Sequence, residues 1–268
     1  LGGSRNIGIN ESTGEFIQFM DVDDYISPNK IEVQMERLLS YNRGYIATSR
    51  WGIFYIDFSD AVFRPDQLWR DLTPEDHLFY LYRYGLMTPV NAYLIPRGIV
   101  EKALPWNSDL LIGEDSEYFS RLIQVSKGTF FCDGATAYYR KGNPNSLSQI
   151  NTDKISSMYR SLKLIERNLL NYKDNELMRS AVSANYQNFV HEVYPFFPEY
   201  TSKAEDDAKR LSRVKLQRSG SKLYVFLSKL FGWKLARRIE LFALKYRLNR
   251  SALKVKIIPR TCIDGNYG

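Results

Sequence analysis

One stretch constrains the fold more than any other. Phe16-Ile17-Gln18-Phe19-Met20 runs straight into Asp21-Val22-Asp23-Asp24. The apolar run has the length of a buried strand. A strand that ends in acids places them at the mouth of an α/β sheet, where ligands bind. Carboxylates this close repel one another unless a cation sits among them. A divalent ion carrying a phosphorylated ligand is such a partner. A solvated acidic turn is the plainer reading, and the stretch alone does not choose between the two. An EF-hand loop is excluded, because Tyr25 follows the acids and no glycine stands at loop position six. A phosphatase of the Asp-x-Asp-x-Thr kind lacks its Thr or Gly after the second Asp.

Helix and strand signals alternate on both sides of this stretch to about residue 150, the mark of a layered α/β domain. Ser4 reads as the cap of a short helix that Gly14 ends, and a strand over 15–20 follows. Ser27-Pro28 opens a helix carrying Ile31, Met35, Leu38 and Leu39 at helical spacing. Strands are expected over 45–49, 51–58, 90–95, 129–132 and 136–140, the last two parted by Asp133-Gly134. Thr73-Pro74-Glu75-Asp76 starts another helix, with acids where the dipole favours them. Pro96-Arg97 leads into a short helix to Ala103. From Asp153 helices alone are expected, over 153–171, 174–194, 203–217 and 221–248. The chain therefore divides into an α/β unit over 1–150 and a basic helical region over 151–268.

The 268 residues are 44% apolar, enough for a full core. Cys132 and Cys262 make no disulfide framework and suit a reducing compartment. His77 and His191 stand far apart, which argues against histidine catalysis or a zinc site. No run of 18 apolar residues occurs. Charge is unevenly spread: residues 1–200 hold 20 Lys and Arg against 25 Asp and Glu, and residues 201–260 hold 17 against 4. The two parts face different partners.

Two further groups carry chemistry. Glu114-Asp115 follows Gly113 at a helix start, where a carboxylate can act as a general base on an acceptor hydroxyl. Acids are also common in any first turn. Tyr138-Tyr139-Arg140-Lys141-Gly142-Asn143 ends a strand in two cations, which suits an anionic ligand such as a diphosphate and equally a basic surface turn.

In combination and in order, these segments resemble the GT-A-fold glycosyltransferases of family 2. Ser4-Arg5-Asn6-Ile7-Gly8 with Gly14-Glu15-Phe16-Ile17 is similar to the family's Ala-Arg-Asn-x-Gly…Gly-Glu-Tyr-Ile. Phe19-Met20-Asp21-Val22-Asp23-Asp24, with Pro28 beyond, is similar to its Phe-Leu-Asp-Ser-Asp-Asp…Pro. Leu94-Ile95-Pro96-Arg97 through Gly113-Glu114-Asp115-Ser116-Glu117 resembles its acceptor-side strand, helix and Glu-Asp motif. Tyr139-Arg140 with Ser146-Leu147-Ser148 resembles its Tyr-Arg…Ser-x-Ser ending. The match covers about residues 1–150.

The resemblance implies a Rossmann-like mixed sheet flanked by helices, and an inverting, metal-dependent transferase. Asp23 would be the principal ligand to Mg²⁺ or Mn²⁺, assisted by Asp21. Asp21 and Asp24 would also contact the donor's sugar or ribose. Arg5 would help hold the nucleotide and Arg140 would face its diphosphate. Asp115 would be the catalytic base, with Glu114 beside it. The donor is expected to be a UDP-sugar, and the acceptor a glycan or polyprenyl-linked glycan in cell-surface polysaccharide synthesis. The family's opening strand and nucleotide-base loop have no counterpart here, and the first residue is Leu. The chain is therefore expected to begin inside the fold and to show little or no transfer by itself.

Residues 221–248 place Phe231, Leu235, Ile239, Phe242 and Tyr246 on one helical stripe, with Lys234, Arg237, Arg238, Lys245 and Arg247 around it. Basic residues beside Trp and Phe suit an anionic membrane surface. The expected location is the cytoplasm, peripheral at the inner face of the membrane. A helix that packs on the catalytic unit is the plainer alternative. Nucleic acid is not expected, since no recognised motif supports it. The rival to the enzyme reading is a non-catalytic membrane- or nucleic-acid-binding protein that keeps a degenerate transferase fold.

Overall fold

A computed structural model describes residues 1–41, 44–142, 151–213 and 222–251. Ser146-Leu147-Ser148, Asn143 and Cys262 lie outside the described residues, as do the side chains of Lys245, Tyr246 and Arg247. The elements run α1 (Gly2–Glu11), β1 (Phe16–Ile17), β2 (Tyr25–Ile26), α2 (Lys30–Tyr41), β3 (Ile46–Phe54), β4 (Val62–Phe63), α3 (Pro74–Tyr84), β5 (Ile95–Pro96), α4 (Arg97–Lys102), α5 (Glu114–Val125) and β6 (Thr129–Arg140). Helices α6 (Thr152–Tyr172), α7 (Glu176–Val193), α8 (Pro198–Leu211), α9 (Lys222–Phe231) and α10 (Trp233–Ser251) follow.

Two sheets meet at the acidic stretch. β1 pairs antiparallel with β5, Ile17 opposite Ile95. The other sheet has the order β2-β6-β3-β4, with β3 and β6 parallel and its two edge strands antiparallel. The chain leaves one sheet at Ile17 and enters the other at Tyr25, which pairs with Tyr138. Asp21–Asp24 is thus the crossing between the sheets, and Asp24 N–H closes it on Asp21 O at 3.2 Å.

Several sequence expectations are corrected. Residues 45–58 hold one strand, β3, rather than two, because no turn-forming residue interrupts Ser49-Arg50-Trp51. Thr129–Arg140 is likewise continuous: its register beside β3 jumps from Cys132 to Thr136, and Asp133-Gly134-Ala135 form a bulge. Ser27 holds the bulge, accepting Thr136 N–H on its Oγ at 3.2 Å and donating its own N–H to Thr136 O at 2.8 Å. Val90–Ala92 is a single 3₁₀ turn, not part of a strand. α8 starts at Pro198, five residues early, because proline is favoured at a first helical position. The long terminal helix is two helices, broken at Gly232 with φ 80°. Thr73 caps α3 as expected, taking Asp76 N–H on Oγ1 at 3.1 Å.

The main core runs from Ile17 and Phe19 through Trp106, Tyr118 and Leu122 to Ile165, Phe189 and Leu211 without interruption. Helices α6 to α8 therefore pack on the sheet layer as part of one apolar interior.

Candidate active site

The acidic turn rests on a buried polar brace. Lys30 is fully buried, and its Nζ donates to Gln18 Oε1 and Gln34 Oε1, both at 2.6 Å. Gln18 Nε2 donates to Phe19 O and Asn91 O, and Gln34 Nε2 to Ala92 O at 2.9 Å. Asn91 Nδ2 reaches Tyr138 O at 3.1 Å, tying the brace to β6. Burial pushes Lys30 down to about 7. Lys30 thus orients Gln18 and Gln34, which with Asn91 carry the brace to backbone carbonyls.

Asp24 is the buried member of the turn, 4% exposed. Its Oδ1 accepts Arg140 N–H at 2.9 Å, while its buried Oδ2 has no partner. Burial, offset in part by that hydrogen bond and reinforced by Asp21 and Asp23, pushes its pKa up to about 7. Arg140 spends its guanidinium on the backbone: Nε donates to Asp23 O at 3.1 Å and Nη1 to Ile56 O at 3.3 Å, and the group lies 4.6 Å over the Phe54 ring. Arg140 thus fastens the acidic turn.

Arg5 joins the second acidic group to the first. Its Nη2 donates to Asp21 Oδ1 at 3.0 Å and its Nη1 to Asp115 Oδ1. The guanidinium sits 4.4 Å from the centre of the Trp106 ring and is largely buried. The neighbouring Asn6 explains how α1 is set: its Nδ2 donates to Trp106 O at 2.9 Å, and its Oδ1 accepts Trp106 N–H at 2.8 Å. Adjacent residues of one helix therefore fix the loop before α5 and clamp the carboxylate upon it.

Asp115 stands in the first turn of α5, half-exposed. Packing around it strips water and raises its pKa, Arg5 pulls it back, and Asp21 pushes it up further. Glu114 is buried beside it and is raised by burial and by Asp115. Burial also raises Tyr139, helped by Asp24, Asp21, Asp115 and Asp23 in that order. Arg5 is the contact that brings Asp21 and Asp115 together.

The loop before α5, residues 111–113, is held from behind by α6, whose polar residues the sequence did not single out. Ser157 Oγ accepts Leu111 N–H at 2.9 Å and Ile112 N–H at 3.2 Å, and donates to Ile112 O. Ser161 Oγ donates to Gly113 O at 2.7 Å. Asn168 Nδ2 reaches Glu117 Oε1 at 3.1 Å. Gly113 has φ 83°, and a Cβ there would lie 3.0 Å from Ser161. The available signal was polar residues on the buried stripe of an amphipathic helix, where each needs a partner.

Among the described residues, no group of three or more His, Cys, Asp or Glu side chains forms a ready-made metal cage. The donor set around Asp21–Asp24 is nevertheless all oxygen, one buried carboxylate oxygen lacks a partner, and hard divalent cations take such ligands.

The profile of the family described as "Glycosyl transferase family 2" matches residues 1–142, more than half of the chain. Uncharacterized glycosyltransferase MJ1057 of Methanocaldococcus jannaschii is 24% identical over 180 residues, 65% of this chain and 58% of that protein. Uncharacterized glycosyltransferase EpsJ of Bacillus subtilis (strain 168) is 30% identical over 157 residues, 56% of this chain and 44% of that protein. The chain spans about half the length of these curated relatives. Among solved structures, S. aureus TarS 1-349 superposes with a TM-score of 0.59 at 14% identity, covering 98% of this chain and 74% of that one. A structure of S. aureus TarS gives 0.58 at 13%, covering 92% and 42%. That likeness concerns the fold, the GT-A arrangement. With sheet, ordered motifs and family match in agreement, the chain belongs to glycosyl transferase family 2.

Proposed function

We propose that this site transfers a sugar, with inversion, from a nucleoside-diphosphate donor, a UDP-sugar, to a hydroxyl of a glycan or polyprenyl-linked acceptor in cell-surface polysaccharide synthesis. One observation carries the reading: a single arginine, Arg5, holds both Asp21 of the sheet crossing and Asp115 of α5. Donor acids and base are one site. The acceptor O–H gives its proton to the Asp115 carboxylate as its oxygen forms the bond to the sugar's C1. The C1–O bond to the diphosphate breaks, and the leaving group departs with the electron pair. Asp115 must be ionised to accept that proton, and Arg5 favours that state.

Asp23 and Asp21 would hold Mg²⁺ or Mn²⁺, with phosphate and water completing the shell, and Asp24 lies buried alongside. A bound cation would supply the positive charge that lets these carboxylates and a diphosphate share one site. Arg140 fastens the turn that carries them.

The surface of α9 and α10 supports a place of work at a membrane. Phe226, Phe231, Leu235 and Phe242 are exposed, at 58%, 62%, 44% and 70%, so the apolar stripe faces outward instead of packing on the sheet domain. Trp233 and Tyr224 anchor the pair inward, Trp233 against Tyr194 and Tyr224 against His191. Lys234 and Arg238 lie over the Tyr194 ring at the base of the pair, and Lys234 is bound to Glu205 at 2.7 Å. No helix of the described residues is long and apolar enough to cross a membrane. An exposed aromatic ridge with basic neighbours fits peripheral docking on an anionic leaflet at the cytoplasmic face.

Calorimetry with UDP and Mn²⁺ on the full natural protein tests the enzyme reading. Binding should need the metal and disappear in Asp23→Ala. Metal-independent binding, or none, defeats it and favours a non-catalytic descendant of the fold.

A further inference from the structure

A cavity lies against the loop before α5. It measures about 160 Å³ and opens between α5, α6 and α7. Gly113 and Ser116, the residues on either side of Glu114-Asp115, form one wall. The opposite wall is a single face of α7, where Asn185, Asn188 and Glu192 recur at helical spacing. Phe189 and Met158 contribute apolar surface.

Three polar residues on this face of α7 differ from the rest of the helix. Asn185, Asn188 and Glu192 are half-buried, yet their side chains make no hydrogen bond to any described residue. Neighbouring polar side chains behave differently: Ser157, Ser161, Asn168 and Ser183 each spend their hydrogen bonds on backbone or side chains nearby. Two glycines pack closely against residues of the lining. Gly85 lies so close to Asn188 that a Cβ would meet its Nδ2 at 2.7 Å, and Gly113 does the same for Ser161 at 3.0 Å. Burial pushes Glu192 up to about 7, with Arg237 of α10 opposing.

Two amides, two hydroxyls and a carboxyl beside Phe189 offer both donors and acceptors without a cationic group in the lining. An anionic ligand would gain nothing there. A ring with several hydroxyls and apolar C–H faces satisfies it, hydroxyls to the amides and C–H to Phe189. The volume suits one such ring, below the range of drug-sized pockets.

We propose that this cleft is a subsite for one neutral sugar residue of the acceptor, gripped by Asn185, Asn188 and Glu192 while the reacting sugar lies at Asp115. The inference rests on the transferase reading for its context, and the cleft's affinity for sugar can be measured apart from it. The probes are the methyl glycosides of glucose, galactose and N-acetylglucosamine, followed by saturation-transfer NMR. At least one should bind at roughly millimolar concentration, as expected for so few atoms. Asn185→Ala and Asn188→Ala should each weaken it by about fivefold, the loss of one hydrogen bond, with UDP binding and melting temperature unchanged. Glu192→Gln, which keeps an acceptor, should weaken it less than Glu192→Leu. Failure of all three probes on the folded protein overturns the subsite, as does binding that survives in the Asn185→Ala, Asn188→Ala double variant. Sugar binding without metal-dependent UDP binding would instead defeat the transferase reading and leave the cleft standing.

Discussion

Arg5 of α1 and Asp115 of α5 are 110 residues apart in sequence and joined through Nη1 and Oδ1. The pair bears on the proton affinity of Asp115, since burial raises its pKa and Arg5 lowers it. Arg5→Gln removes the lowering influence, so the base stays protonated to higher pH. The acidic limb of the kcat/KM profile should move to higher pH in the full natural protein, and kcat at neutral pH should fall at least tenfold, or about 1.4 kcal/mol. An unmoved limb would show that Asp115 is not the group titrating there.

Asp24 provides a test of stability. Its folded pKa is about 7 against an ordinary 3.8. Below the lower value both states are protonated and nothing is lost. As pH rises the unfolded chain ionises first, so stability falls, and the full loss is reached above about pH 7. Three units correspond to about 4 kcal/mol at most. Asp24→Asn keeps an oxygen for Arg140 N–H, so without metal it should melt higher than the parent at pH 8 and much the same at pH 4. The same change should weaken Mn²⁺-dependent UDP binding.

Ser157 serves three backbone groups of the loop before α5 with one hydroxyl. Ser157→Ala leaves two partly buried N–H groups without their acceptor, which costs about 1 kcal/mol in denaturant unfolding. A loosened loop misplaces Asp115, so kcat should drop by about tenfold or more while UDP affinity holds within about twofold. A matching loss of UDP affinity would mean that the loop also shapes the donor side.

The ridge of α9 and α10 predicts sedimentation with vesicles that contain phosphatidylglycerol. Phe226→Ser with Phe242→Ser should reduce the bound fraction by about tenfold or more, and 0.5 M salt should reduce it in the parent. Binding to neutral vesicles as strong as to anionic ones would remove the electrostatic part of the reading.

Much of the site was legible because its residues are local signals. Three acids after an apolar run, and Glu-Asp after a glycine, need no tertiary contact to be noticed. Arg5 was legible as a ligand-side cation through its family motif, whereas its clamp on two carboxylates depends on a pairing across 110 residues. Lys30 was read only as part of an amphipathic helix, since nothing in its neighbours tells that Gln18 and Gln34 will enclose it. Strand limits failed where bulges and sheet crossings, set by partners such as Ser27 and Thr136, override local propensity. The break at Gly232 was visible in the residue itself.

The stapling of Leu111, Ile112 and Gly113 by α6 bears on how such enzymes can be recombined. A chimera that joins this sheet unit to another member's helices at residue 150 would exchange the bolts of its own loop before α5. Swaps that keep α6 to α8 with their native sheet should retain chemistry and alter only what lies beyond Leu211. The seam for exchanging α9 and α10 on this scaffold therefore lies after Leu211.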